Sequence, residues 1–294
     1  SRTRTVYLLE EGEFAILTKD KVEIVDAHKN PIHKEPFEVD WDIDAARKDG
    51  YEYYMLKEIM EQPRAMSETI GPRLNGDDVF MSELSMPEEY YKDLRKIFIV
   101  ACGSAYHVGL VGKYVLEDLA RVPVEADLAS EFRYRNPIIQ KGDLVVIISQ
   151  SGETLDTLEA LRDAKKQGAR ILSIVNVKGS SIARESDDVL YTHAGPEIAV
   201  ATTKAYSTQM DILFLLGLYL ARVKGKITKE EEHAYVEALR AIPEKVETFL
   251  KDVSGLEAMA KKFKSVRDVF FIGRGIDYAI ALEGSLKLKE ISYI

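Results

Sequence analysis

Apolar and polar positions alternate in three regimes along the chain. In the first, apolar residues cluster at 5–9, 13–18 and 21–26, with Glu11-Gly12 and Lys19-Asp20 between them. That spacing predicts three short strands joined by tight turns. A polar stretch over 30–50 follows, and three strands with a polar tail cannot close a core. Residues 1–45 therefore read as the end of a larger domain, or as a small sheet that leans on something else. The second regime, 46–92, reads as a linker carrying one helix at 51–60, where Tyr54, Met55, Ile59 and Met60 form the apolar share. Pro63 is expected to end that helix, and Pro72, Gly76 and Asp77-Asp78 mark surface chain beyond it.

The third regime begins at Lys96. The runs 97–101, 144–148 and 171–175 are apolar without a break, the pattern of strands buried on both faces. Shorter strands are expected at 122–126 and 189–191, and helices at 108–120, from 154 to a C-cap at Gly168, at 202–223 and at 230–250. Strands alternating with helices of this length imply parallel βαβ units, hence a three-layer αβα domain over 93–225, with connecting helices over 226–294. A repeat lies across this boundary. Shifting the chain by 172 residues places Arg95, Phe98, Gly103, Tyr106, Leu110 and Gly112 on Arg267, Phe270, Gly275, Tyr278, Leu282 and Gly284. Both segments read strand, glycine turn, helix. The loop at Ser149 lies 46 residues after Gly103, so its counterpart would fall at 275 + 46 = 321, past Ile294. The expectation is one whole α/β domain and the first strand and helix of a second, in a truncated chain.

Apolar residues at 46% and charged residues at 30% exclude a disordered or collagen-like chain. Forty basic against 49 acidic residues give a net charge of −9, which argues against a duplex-binding protein. A small anion remains open, because a few aimed N–H groups suffice for it. No apolar run approaches the ~20 residues a bilayer span needs. The lone Cys102 excludes a disulfide framework and points to a reducing, cytoplasmic setting, and the five His form no metal-ligating pair. The start Ser1-Arg2-Thr3 shows no secretory leader. No metal and no cofactor are expected.

The richest chemistry lies at Ser149-Gln150-Ser151-Gly152-Glu153-Thr154, between a buried strand and a helix. In an open parallel sheet ligands bind at the carboxyl ends of strands, and a helix N-terminus there offers free N–H groups and a positive dipole end. The hydroxyls of Ser149, Ser151 and Thr154 and the Gln150 amide can donate to an anion, and Gly152 lets the backbone come close. Thr154 could equally be a plain helix cap. The loop has no G-x-x-x-x-G-K-[ST] pattern, so a monophosphate on a small body fits better than a nucleoside triphosphate. Cys102-Gly103-Ser104, at an equivalent strand end, could form the second wall, with Cys102 as a small apolar residue. In the segment 197–204, Thr202 or Thr203 can cap the next helix, and Val200, Thr202 and Lys204 could close over a ligand, Lys204 adding positive charge. Glu283, Lys287 and Glu290, spaced four and three apart, share a helix face. They form either ordinary surface ion pairs or an acid/base carboxylate beside an ammonium. Gly273-Arg274-Gly275 lacks the third glycine of a dinucleotide fingerprint.

The hexapeptide 149–154 resembles the phosphosugar-binding signature of the sugar isomerase (SIS) superfamily. Lys57-Glu58-Ile59-Met60-Glu61-Gln62-Pro63, Ala101-Cys102-Gly103, Ala129-Ser130-Glu131-Phe132-Arg133-Tyr134-Arg135, Thr203-Lys204-Ala205-Tyr206 and Leu282-Glu283-Gly284-Ser285-Leu286-Lys287-Leu288-Lys289-Glu290 narrow it. Together they resemble the family of isomerising glutamine–fructose-6-phosphate aminotransferases, nearly end to end. The resemblance implies that 1–45 closes a glutaminase-type domain, that 93–225 is a first SIS domain, and that 226–294 begins a second. It implies binding of fructose 6-phosphate and glucosamine 6-phosphate, with Ser149, Gln150, Ser151 and Thr154 on the phosphate and Cys102, Gly103, Ser104, Val200 and Thr202 around the sugar or phosphate. Glu290 would move a proton between the first two sugar carbons, accompanied by Lys287 and Glu283. Pairing of SIS domains across a two-fold axis implies a homodimer, with no nucleic acid or membrane involved. Ala105 stands where the family commonly has a hydroxyl residue, a difference of one phosphate hydrogen bond, ~1.5–3 kcal/mol. The family's N-terminal catalytic cysteine, catalytic histidine segment and C-terminal lysine tail lie outside this sequence, so the chain is expected to bind sugar phosphate without turning it over. The alternatives are a SIS-type phosphosugar sensor, which needs no acid/base helix, and a simple phosphosugar isomerase, which needs no nitrogen donor.

Overall fold

A computed structural model describes residues 5–38 and 47–294, which divide into two compact units, 1–47 and 48–294. The boundary expected between 45 and 46 lies outside the described residues. In the first unit β1 (Thr5–Val6) pairs antiparallel with β4 (Phe37–Glu38), and β2 (Glu13–Leu17) pairs with β3 (Val22–Asp26) as a hairpin turned at 18–21. Strand β1 is shorter than the pattern suggests, because only its first two residues find a partner, at 37–38. Two two-stranded sheets bury little: Ile24 and Val25 are covered, whereas Phe14, Ile16, Leu17 and Val22 remain exposed.

The second unit opens with α1 (Tyr54–Met60), α2 (Gln62–Ile70), a 3₁₀ turn (Gly71–Arg73), a short hairpin of β5 (Leu74–Asn75) and β6 (Asp78–Val79), and α3 (Glu88–Lys92). Pro63 does not end the helical region. It sits in the first turn of α2, where its missing N–H would have had no partner anyway. Nor does the segment 46–92 behave as a spacer, for Met66, Ile70, Val79, Met81 and Tyr91 all enter the main core.

The chain then runs β7 (Ile97–Ala101), α4 (Gly103–Leu119), β8 (Val124–Leu128), α5 (Ala129–Tyr134), β9 (Leu144–Ser149), α6 (Leu155–Lys166), β10 (Arg170–Val175), α7 (Ser181–Glu185) and β11 (Asp188–Tyr191). The five strands form one parallel sheet in the order β11-β10-β9-β7-β8. Residues alternate between its faces with period two. Ile97, Ile99 and Ala101 of β7 and Leu144, Val146 and Ile148 of β9 pack into one core with Val108 and Leu116 of α4. Phe98, Val100, Val145 and Ile147 pack into the opposite core with Phe132 of α5 and Leu158 and Leu161 of α6. The three-layer αβα expectation holds.

Helix α8 (Lys204–Val223) is buried along nearly its whole length and lies against α4, where a Cβ on Gly112 would meet Leu213 Cδ1 at 2.5 Å. Helix α9 (Lys229–Leu250) starts with a reciprocal cap between Thr228 and Glu231, followed by α10 (Ser254–Phe263) and α11 (Ile276–Ser292). The repeat is visible in the backbone: Gly103 before α4 and Gly275 before α11 share φ of +56°. The second strand of the repeat is not formed, and Phe270 and Ile272 are 92% and 91% exposed. A strand needs a neighbour to take its N–H and C=O groups, and none of the described strands lies beside this segment. No described helix is long and apolar enough to cross a membrane.

Candidate functional site

The strand order fixes where a ligand can sit. From β7 the chain steps to β8 on one side, then returns to β9 on the other, so connections diverge between β7 and β9. At such a switch point the loops part and leave a crevice beyond the carboxyl ends of the strands. Cys102 follows β7 and Ser149 ends β9, and both lie at this crevice. A cleft of about 220 Å³ opens there, lined by Cys102, Ser104, Ala105, Ile148, Ser149, Gln150, Ser151, Thr154, Val200, Thr202, Gln209, Lys287 and Glu290. It is smaller than the ~300–1,000 Å³ of drug-sized sites, a size that suits a small metabolite.

The loop 149–154 is wired internally. Gly152 N–H donates to Ser149 Oγ (3.0 Å), Glu153 N–H donates to Ser151 Oγ (3.2 Å), and Ser149 Oγ shares a hydrogen bond with Thr154 Oγ1 (3.0 Å). The Ser149–Thr154 pair has two hydroxyl hydrogens and uses one between them, so one remains to donate into the cleft. Thr154 is the N-cap residue of α6 but makes no side-chain cap bond, so its hydroxyl belongs to the loop rather than to the helix. The N-termini of α4 and α6 both open here, adding uncommitted N–H groups and positive dipole ends suited to an anion. The role expected of Gly152 changes. It has φ of +68°, and a Cβ there would strike Ser180 rather than a ligand, so the glycine serves the packing of α7 beneath the loop.

Cys102 lies at this wall as a partly buried thiol whose Sγ accepts from Thr157 Oγ1 at 3.6 Å. Ser104 lines the cleft, whereas Gly103 only turns the chain into α4. On the other side, Val200 and Thr202 line the cleft, held by carboxylates from two directions. Glu58 Oε1 of α1 accepts the N–H groups of Ile198 (2.5 Å) and Ala199 (3.1 Å), and burial pushes its carboxyl upward from the ordinary range. Glu197 accepts from Thr202 Oγ1 (2.9 Å), Thr203 N (2.9 Å) and Ala205 N (3.2 Å). Glu197, then, satisfies the start of α8; neither Thr202 nor Thr203 caps it as the sequence suggests. Lys204 also departs from expectation. It is 1% exposed and its Nζ is 2.7 Å from Glu61 Oε2, away from the cleft lining.

Helix α11 packs on α4 and brings Lys287 and Glu290 to the cleft. Lys287 Nζ lies 2.5 Å from Glu290 Oε2 and 3.4 Å from Glu283 Oε1. Glu283 does not line the cleft. It is buried behind it, with Oε2 2.7 Å from His107 Nδ1 of α4. A row His107–Glu283–Lys287–Glu290 thus runs from the helix interface to the cleft, and its exposed end is a carboxylate beside an ammonium. That arrangement can take a proton from a carbon next to a carbonyl while the ammonium offsets developing negative charge.

Gln209 and Ile148 line the cleft without having been anticipated. Ile148 reads in sequence only as core. Gln209 carried a signal, being one of a few polar residues in a helix otherwise apolar on every side. Elsewhere, Asp77, His233 and Glu237 bring ligand atoms within 4.8 Å of one another on the surface, but all three are exposed, and His233 Nδ1 lies 3.1 Å from Asp77 Oδ1.

The SIS domain family matches residues 90–218, which carry the sheet, the loop 149–154 and the start of α8. Over 295 aligned residues the chain is 53% identical to a glutamine–fructose-6-phosphate aminotransferase [isomerizing] of Clostridium tetani, covering all of this chain and 48% of the relative. It is 52% identical to the enzyme of that name from Caldanaerobacter subterraneus subsp. tengcongensis, covering 99% of the chain and 48% of the relative. The chain therefore spans about half the length of these relatives. Among solved structures, the C-terminal domain of glucosamine-fructose-6-phosphate aminotransferase from Francisella tularensis superposes with a TM-score of 0.82 at 45% identity, covering 85% of this chain and 70% of that one.

Proposed function

The chain belongs to the glutamine–fructose-6-phosphate aminotransferase family, and we propose that its unit 48–294 binds fructose 6-phosphate as the isomerising part of an enzyme that makes glucosamine 6-phosphate. The phosphate sits against Ser149, Gln150, Ser151 and Thr154, at the N-termini of α4 and α6. Ser104, Val200 and Thr202 flank it, and Cys102 and Gly103 shape the wall. The sugar's first two carbons then lie toward α11, where Glu290 takes a proton from one carbon and returns it to the other. Lys287 stands beside that carboxylate, and Glu283 holds Lys287 from behind. In the longer protein, residues 1–45 belong to the domain that releases ammonia from glutamine. The same reading has the protein in the cytoplasm as a homodimer.

One observation carries this reading: a donor-rich loop and a carboxylate–ammonium pair, 140 positions apart in sequence, line a single cleft. A phosphosugar sensor needs the loop alone, so the presence of Glu290 and Lys287 in the same cleft favours chemistry. Calorimetric titration of the chain with fructose 6-phosphate should give saturable heat, and fructose without its phosphate should give none at the same concentrations. Absence of heat with fructose 6-phosphate would overturn the proposal. With ammonia and fructose 6-phosphate the chain alone should form no glucosamine 6-phosphate.

A further inference from the structure

We infer that Gln209 is a further ligand-binding residue of this cleft, its carboxamide accepting a hydrogen bond from a hydroxyl of the sugar body rather than holding the phosphate. The inference rests on the phosphosugar reading above and adds to it a residue that sets which polyol phosphate is accepted. Gln209 lies in the second turn of α8 and shares the cleft lining with Thr202, Lys287 and Glu290. It is 1% exposed. Its Oε1 is buried and has no hydrogen-bond partner among the described residues.

Buried polar atoms in folded chains are almost always paired, so one left unpaired in a side chain that lines a cleft calls for a partner from outside the described residues. Three other polar side chains of the lining are already paired. Ser149 is engaged with Gly152 and Thr154, Thr202 with Glu197, and Lys287 with Glu290. The open atom of Gln209 is an acceptor, and an acceptor is completed by an O–H or N–H group. A hexose body presents several hydroxyls. A phosphate monoester at neutral pH is mostly dianionic and presents acceptors, which suit the donors of residues 149–154. The two ends of the cleft thus make opposite demands, donors at the loop and an acceptor at α8, which a phosphorylated polyol meets with separate groups. Packing alone gives no account of this side chain: a methionine would fill the same volume in an apolar helix without an unpaired oxygen.

The test compares the chain with Gln209→Met in calorimetric titrations with fructose 6-phosphate and with inorganic phosphate, alongside a thermal melt. The expected result is selective. Fructose 6-phosphate should bind about tenfold more weakly to the variant, the loss of one well-made hydrogen bond, while inorganic phosphate binds as before and the melting midpoint does not fall. Gln209→Glu keeps an acceptor at the same place and should recover part of the fructose 6-phosphate affinity. If Gln209→Met fails to fold, Gln209→Asn, which withdraws the same amide by one carbon, should show the same selective loss. Equal weakening of both ligands, or unchanged affinity for fructose 6-phosphate, overturns the inference. If the unsubstituted chain binds phosphate but not fructose 6-phosphate, the phosphosugar reading fails first, and this inference with it.

Discussion

Gly152→Ala should unfasten the loop that ends β9. The native φ of +68° is one that an L side chain adopts only with strain, ~1–2 kcal/mol. The new Cβ would also sit 2.5 Å from Ser180 Cβ and closer still to its Oγ, with Val175 Cγ1 at 3.6 Å. Overpacking of that kind costs ~1–3 kcal/mol. The two effects sum to about 2–5 kcal/mol. For a unit of this size each kcal/mol shifts the melting midpoint by ~2–4 °C, so the loss should fall between about 4 and 20 °C. Differential scanning calorimetry reads the shift, and titration with fructose 6-phosphate reads the loop. Gly152 N–H holds Ser149 Oγ and Gly152 O accepts from Ile182 N, so a displaced Gly152 should also weaken ligand binding. Ser180 supplies the internal control. Its Oγ is buried without a partner among the described residues, so Ser180→Gly removes the obstructing atoms and breaks none of their hydrogen bonds. The double variant Gly152→Ala/Ser180→Gly should recover the overpacking part and leave the backbone strain, together with ~0.5–1 kcal/mol for the added glycine. A single variant that melts within about 1 °C of the parent and keeps its affinity would refute the account. A double variant no better than the single would show that Ser180 is not the obstacle.

Other outcomes follow from the same geometry. Glu290→Gln in the longer protein should retain fructose 6-phosphate binding and lose turnover; a variant that loses binding instead would make Glu290 a ligand holder rather than a base. Lys204→Met should cost ~1–3 kcal/mol in urea unfolding by removing the charged hydrogen bond to Glu61, which is only partly buried and keeps longer pairs with Lys57 and Arg64, and its effect on inorganic phosphate binding should be small in comparison. Asp211, 3% exposed and with Oδ2 unpaired among the described residues, has its carboxyl held well above the usual range by burial. A folded-state pKa above the unfolded one gives stability that is complete below the ordinary aspartate range and is lost as pH rises toward the folded value. Asp211→Asn should therefore gain on the parent in unfolding free energy as pH rises through that window, and a difference that stays constant with pH would count against it. His107→Leu should destabilise by ~1–3 kcal/mol through the loss of the Glu283 hydrogen bond, detectable as faster amide exchange along α11.

The sheet was legible because its strands are apolar on both faces. The expected runs 97–101, 144–148 and 171–175 match the observed strands to within a residue. The region 54–92 was not, since its signals are local and its structure is not. Pro63 and Pro72 punctuate in sequence, yet each stands at a helix N-terminus, and Met66, Ile70 and Met81 become core only once α8 and α9 lie against them. At 269–272 an apolar run lacked a neighbouring strand, and apolarity without a partner does not make a strand. In the cleft, residues 149–154 could be read because chemistry and position coincide in six consecutive residues. Glu197 as the group that satisfies α8, and Gln209 as a wall of the cleft, depend on the folded path of the loop between them. Lys204 was misread for the same reason, since its partner Glu61 lies 143 residues away.

The tip of the wall at Val200 is fully exposed, yet the chain on either side of it hangs from Glu58 and Glu197. One of those anchors belongs to a helix that contributes no atom to the lining. Natural variants that alter the surroundings of α1 would therefore be felt at the mouth of the crevice, and a comparison restricted to the residues around the ligand would miss where such differences in selectivity arise.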